Sequence, residues 1–128
     1  MTETATVTMH IGELAEQTGL SHRTIRHYDE VGLLEASGRS EGGFRLYTQA
    51  DLDRLLVIRR MKPLGFSLEE MAELLRVVDG LDADPSGPRG AQLRDELAAF
   101  VADAEERRSK LVAQLSMADE FLGMLRRR

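Results

Sequence analysis

The chain has 128 residues, an apolar fraction of 42%, few aromatic residues (5%) and no Cys. That length allows one small domain with an appendage but not two independently cored domains, and the missing thiols exclude disulfides, zinc ribbons, iron–sulfur clusters and thiol catalysis. The net charge of −5 has the wrong sign for attraction of the whole chain to a polyanion, so any nucleic-acid contact has to rest on local placement.

Residues 1–8 form a polar tail without the basic and apolar regions of an export signal. No apolar run approaches the ~20 residues that a membrane span needs, so a cytoplasmic protein with no membrane partner is expected. The first helix is expected over Ile11 to Thr18, where Ile11, Leu14 and Ala15 make one apolar stripe. Gly19 stops it and Leu20 is an apolar turn residue. Ser21 is a suitable N-cap for a second helix from His22 to about Val31. In that helix Ile25 and Tyr28 point inward, while Arg23, Arg26, His27 and Glu30 share the other side. Gly32 ends it, and Leu33 and Leu34 return the chain to the core.

Such a pair of short helices also fits any αα-hairpin. A basic face opposite the core face, directly after a turn of this length, favours a helix-turn-helix. The stretch Ser37 to Gly43 is rich in Gly and is followed by extended Phe44-Arg45-Leu46-Tyr47, with Phe44 and Leu46 on one face and Arg45 and Tyr47 on the other. A two-stranded wing is the natural reading and a plain surface loop the alternative.

Thr48 with Asp51 makes a loose capping box for a third helix, whose periodicity runs through Leu52, Leu55, Leu56 and Arg59 to Met61. Pro63 and Gly65 break it. Ser67 with Glu70 opens a fourth helix with Leu68, Met71, Leu74 and Leu75 inward. Between Ser21 and Lys62 there are eight basic residues (Arg23, Arg26, Arg39, Arg45, Arg54, Arg59, Arg60, Lys62) against six acids (Asp29, Glu30, Glu35, Glu41, Asp51, Asp53). The balance is mildly positive, and most of the cations fall where a recognition helix, a wing and a supporting helix would face phosphate.

Residues 79–90, DGLDADPSGPRG, read as an exposed linker. Helix signals then continue from Ala91 to Leu125, before a basic tail, Arg126 to Arg128. Leu97, Ala104, Leu111, Ala118 and Leu125 recur every seven residues, and Val101, Arg108, Leu115 and Leu122 follow four residues after the first four. This is a seam of about four heptads with one Arg inside it, and it needs a partner. A second copy is the expected one, with Leu97, Val101, Ala104, Leu111, Leu115, Ala118, Leu122 and Leu125 as the interface. Folding back on its own head is the alternative. The fold expected is therefore mainly α: a winged helix-turn-helix head of four helices and a small two-stranded wing, followed by a long C-terminal dimerisation helix.

The segments IGELAEQTGLSHRTIRHYDEVGLL, GGFRLYT and DLDRLLVIRRMKPLGFSLEEMAELL, in this order and spacing, make residues 9–78 resemble the DNA-binding domain of the MerR family of bacterial transcription regulators. The resemblance implies that the second helix enters the major groove, flanked by the wing and the following helix pair. Arg23, Thr24, Arg26 and His27 would then lie near base edges and phosphates. Tyr28 is ambiguous, since its spacing from Ile25 says core while its hydroxyl could still reach a phosphate. Arg39 and Arg45 of the wing, with Arg60 and Lys62 from the third helix, are the implied phosphate ligands; solvated surface charge is the alternative for each. The chain departs from the family pattern with His27-Tyr28 where Tyr-Tyr is common, and with Gly43-Phe44-Arg45 where Gly-Tyr-Arg is common. Phe44 cannot donate to a phosphate.

The resemblance further implies antiparallel homodimerisation through the long helix, binding to a palindromic promoter site, and distortion of an overlong promoter spacer that realigns it for RNA polymerase. Family members sense inputs through Cys ligands or an appended domain, and neither is expected here. His10, His22 and His27 all lie in the head, so no metal site and no cofactor are expected. A small apolar ligand near Leu81, Leu93, Leu97 and Phe100 is one expectation and a regulator without effector the other. No nucleophile, base and metal-ligand constellation exists for an enzyme. An architectural or excisionase-like accessory DNA-binding protein is the remaining alternative, and a pure coiled-coil adaptor would leave the basic face unexplained.

Overall fold

The computed structural model describes residues 8–128; the expected N-terminal tail lies outside the described residues except for Thr8. Thr8–Met9 is a short strand (β1), followed by helices Ile11–Thr18 (α1) and His22–Glu30 (α2), strands Gly38–Arg39 (β2) and Arg45–Thr48 (β3), and helix Gln49–Met61 (α3). A 3-10 turn over Lys62–Leu64 leads to helices Leu68–Ala83 (α4) and Gly90–Arg126 (α5). The described residues divide into two compact units, one ending at Ala72 and the other running from Glu73 to Arg128.

In the first unit, local chemistry sets the helix ends. Gly19 closes α1 at φ +72°, a left-handed conformation that costs a residue with a Cβ about 1–2 kcal/mol, and its N–H donates to the Ala15 carbonyl. The Ser21 Oγ caps α2 by accepting from the Thr24 N–H at 3.1 Å. Thr48 and Asp51 form a reciprocal capping box on α3, and Ser67 and Glu70 form another at the start of α4.

The wing is more than the expected two-stranded hairpin. β3 pairs antiparallel with β2 on one side and with β1 on the other, giving a three-stranded sheet in the order β1-β3-β2. Met9 pairs with Tyr47, and both are buried, so Thr8 begins a strand and belongs to the sheet. The core of this unit gathers Leu14, Ile25, Leu34, Tyr47, Leu55 and Ile58, each fully shielded from solvent. Burying each aliphatic side chain contributes about 1.5–3 kcal/mol.

In the second unit, α4 continues to Ala83, five residues into the stretch expected as a linker. Gly80 lies within this helix and Leu93 packs onto it: a Cβ there would come within 2.9 Å of the Leu93 Cδ1. Residues 84–89 form a hydrogen-bonded corner. The Gly87 N–H donates to the Asp84 carbonyl, the Gly90 N–H to the Gly87 carbonyl, and the Arg94 guanidinium to the Pro85 carbonyl at 2.7 Å. α5 then runs 37 residues, about 55 Å at 1.5 Å per residue. Among the described residues no helix is long and apolar enough to cross a membrane.

Candidate nucleic-acid interface

α2 is amphipathic about the axis that the sequence indicated. Ile25 and Tyr28 are buried, and Arg23, Arg26, His27 and Glu30 are exposed on the opposite side. Thr24 is half-buried, and its hydroxyl accepts a hydrogen bond from the Ser21 Oγ at 2.9 Å. Arg23, Thr24, Arg26, His27 and Lys62 line one open cleft of about 1010 Å³, whose floor includes Phe66 and Met71. Tyr28 is 3% exposed and contributes only an edge to this cleft, as its spacing from Ile25 requires.

A second cleft, of about 490 Å³, is lined by His10, Ile11, Arg26, Arg39, Gly43, Phe44, Arg45 and Tyr47. Three guanidinium groups face it and no carboxylate lines it. Arg26 lines both clefts, so one side chain of α2 joins the helix surface to the wing. Arg60 is exposed on α3 and lines neither.

The wing is folded so that its cations flank β3. Arg39 pairs directly opposite Arg45, and the Arg39 Nη1 donates to the Gly43 carbonyl across the turn at 3.0 Å. Phe44, 67% exposed, meets the His10 ring edge to face at 6.2 Å between centroids. The alternation read from the sequence therefore stands with Tyr47, not Phe44, turned into the core.

Several functional neighbours escaped the sequence reading. Asp29, on α2, accepts a hydrogen bond from the Tyr47 hydroxyl at 2.8 Å and lies 3.5 Å from the Arg45 Nε. Burial, then the hydrogen bond to Asp29 and its negative charge, push the Tyr47 phenol up from the usual 10 to about 12. Two of the eight cations counted toward a DNA face are turned onto the backbone. The Arg54 Nε donates to the Leu33 carbonyl at 2.8 Å, and the Arg59 Nη1 donates to the Thr18 carbonyl at 2.6 Å, satisfying an acceptor left open at the end of α1. The signal for Arg59 was present: it falls on the apolar stripe of α3, where a charged head must find an acceptor.

On α5, Val101, Leu111, Leu115, Ala118, Leu122 and Leu125 are exposed in the single chain, and Leu97 and Ala104 are half-buried. Leu81 is half-buried and Leu93 is buried against Gly80, whereas Phe100 lines a separate cavity of about 270 Å³ with Glu73, Arg76, Glu96, Ala99 and Asp103. Among the described residues no three His, Cys, Asp or Glu side chains converge as metal ligands.

Residues 9–77 match the family model described as MerR HTH family regulatory protein, and residues 52–117 match one described as MerR, DNA binding. The chain belongs to the MerR family. This MerR-family chain is 49% identical over 69 residues to the mercuric resistance operon regulatory protein of Bacillus cereus, covering 54% of its own length and 52% of that protein. It is 37% identical over 116 residues to the HTH-type transcriptional regulator CueR of Salmonella typhi, covering 91% and 78%. The chain thus spans about half the length of the first relative and most of the second. Its fold matches that of HiNmlR, a MerR family regulator lacking the sensor domain, solved bound to promoter DNA, with a TM-score of 0.71 at 23% identity over 94% of this chain and 92% of that one. MerR-family membership makes residues 9–77 the helix-turn-helix DNA-binding head of this family of regulators.

Proposed function

We propose that the protein binds a palindromic promoter site as a homodimer, distorts the promoter spacer and thereby alters the alignment of the two promoter elements for RNA polymerase in the cytoplasm. The observation that carries this reading is the position of Arg26 between two basic clefts, one along α2 and the other against the wing. In this reading α2 enters the major groove, with Arg23, Thr24, Arg26 and His27 near base edges. Arg39, Arg45 and Lys62 hold backbone phosphates on either side, and Arg60 adds a more distant one.

Residues 9–78 form the reading head, and residues 91–125 pair antiparallel with a second copy through the Leu97 to Leu125 seam. The net charge of −5 fits this division, because one mildly basic head binds duplex DNA weakly and two joined heads raise the effective concentration of the second contact. Bending and untwisting cost deformation energy, which contacts at both half-sites offset. The reading holds with or without an effector.

Purified protein and an Arg26→Ala/Arg45→Ala double variant are titrated into duplex DNA from upstream of the protein's own gene, with footprinting to locate the site. The wild type is expected to protect an inverted repeat. The double variant, folded by circular dichroism, is expected to bind about a hundredfold more weakly or worse, from the ~1–3 kcal/mol that each of the two Arg contacts contributes. A folded double variant that binds unchanged places the DNA face elsewhere.

A further inference from the structure

The wing places like charges side by side. Arg39 and Arg45 are directly opposite across the β2-β3 pair, an arrangement that destabilises a hairpin, and Arg26 faces the same cleft. Left to themselves, three guanidinium groups around so small a space would spread into solvent. Asp29 is the acid that touches this group: its carboxylate is only 13% exposed and lies 3.5 Å from the Arg45 Nε. The same carboxylate oxygen accepts the Tyr47 hydroxyl at 2.8 Å. Arg45 and Tyr47 are two residues apart on β3 and so point to one side of the strand. α2 is therefore linked to β3 at two alternate residues, by a hydrogen bond to buried Tyr47 and a longer ion pair to half-exposed Arg45, through a single side chain of the recognition helix. Seating Nε on the carboxylate leaves the terminal nitrogens of the guanidinium, with their remaining donors, for an anion in the cleft.

We propose that Asp29 is a positioning residue for DNA binding: fixed by Tyr47, it seats the Arg45 guanidinium so that the wing meets a backbone phosphate in register with the recognition helix. The inference rests on the DNA face assigned above. It inverts the simple electrostatic expectation, in which an acid beside a phosphate-binding cleft repels DNA and its neutralisation tightens binding. Here the negative charge is retained because an ordered Arg45 contributes more than an additional free positive charge.

The test uses the full-length protein and a duplex spanning the footprint upstream of its own gene, with binding measured over a series of salt concentrations. Asp29→Asn keeps an acceptor for Tyr47 and removes the charge that holds Arg45. It is expected to bind about tenfold more weakly, with a log–log salt slope shallower by about one, and to cause no further loss in an Arg45→Ala background. Arg45→Lys lies on the partly exposed wing and keeps the charge without an Nε. It provides a second test should Asp29→Asn fail to fold, and is expected to weaken binding with the salt slope little changed, since the charge is kept. Folded Asp29→Asn that binds as tightly as wild type or more tightly, Arg45→Lys indistinguishable from wild type, or independent losses from Asp29→Asn and Arg45→Ala each overturn the inference while wild-type binding leaves the proposed function intact. Wild-type protein that shifts none of the upstream DNA overturns both.

Discussion

The head and the long helix α5 are both built from amphipathic helices, yet they dispose of their apolar side chains in opposite ways. In the head, Leu14, Ile25, Leu34, Tyr47, Leu55 and Ile58 are wholly enclosed by elements of the same chain. On α5 no side chain beyond Leu93 is buried, and Leu115 is 62% exposed in a sequence whose heptad stripe runs for about four repeats with only Arg108 interrupting it. The head is thus a finished structure in one polypeptide, whereas the helix displays a stripe that only another surface can cover. An isolated helix gains most of its stability in a protein from packing of its apolar face, so the two regions answer to different perturbations.

The largest expected effect breaks the helix and spares the head. Leu115→Glu places a charge in the proposed seam and is expected to leave the protein monomeric in analytical ultracentrifugation at concentrations where the wild type is expected to dimerise. DNA affinity is expected to fall by two orders of magnitude or more, since the tethered second contact is lost. A variant that remained dimeric would place the interface elsewhere.

Leu14→Ala acts in the reverse direction. It empties a fully buried position in the head and is expected to cost about 3 kcal/mol in thermal or urea unfolding, with the exposed stripe of α5 untouched. A cost below about 1 kcal/mol would mean that the head core is less tightly packed than its burial indicates.

Alkaline unfolding sharpens the contrast, because Tyr47 belongs to the head alone. Its folded pKa of about 12 lies above the unfolded value near 10, so its proton is retained more strongly in the folded state. The corresponding stability is fully present below pH 10 and is lost as pH rises toward 12, by roughly 2–3 kcal/mol. Tyr47→Phe is expected to cost about 1 kcal/mol at neutral pH, through the lost hydrogen bond to Asp29, and to flatten stability over that alkaline window. An unchanged alkaline slope in the variant would assign that dependence to other groups. The smallest effect is expected for Gly19→Ala, about 1 kcal/mol, from forcing a Cβ into the left-handed turn between α1 and α2.

How far the sequence could be read follows from how local each determinant is. The caps at Ser21, Thr48 and Ser67 were legible because donor and acceptor lie three residues apart, and the inward positions Ile25 and Tyr28 because helical spacing places them together. β1 was not, since two residues carry no period and their strand exists only through pairing with β3, some 40 positions away. The linker was read too long because its Asp, Gly and Pro content resembles coil, although Gly80 lies within α4 with Leu93 from α5 packed onto it. Among the candidate site residues, Arg23, Arg26 and His27 follow from the face of one helix. The meeting of Arg26 with Arg39 and Arg45 does not.

The sequence by itself determined the helix-turn-helix order, the capped helix starts, the family resemblance and the heptad stripe, because each depends on side chains within one or two turns of each other. Only the tertiary structure decided what the charges do. It turned Arg54 and Arg59 onto backbone carbonyls, gathered three other arginines around one cleft, and placed Asp29 between Tyr47 and Arg45. A charged side chain takes its role from the partner it meets in space, and the hydrogen-bond and ion-pair partners of Arg45, Arg54 and Arg59 lie from 16 to 41 residues away along the chain.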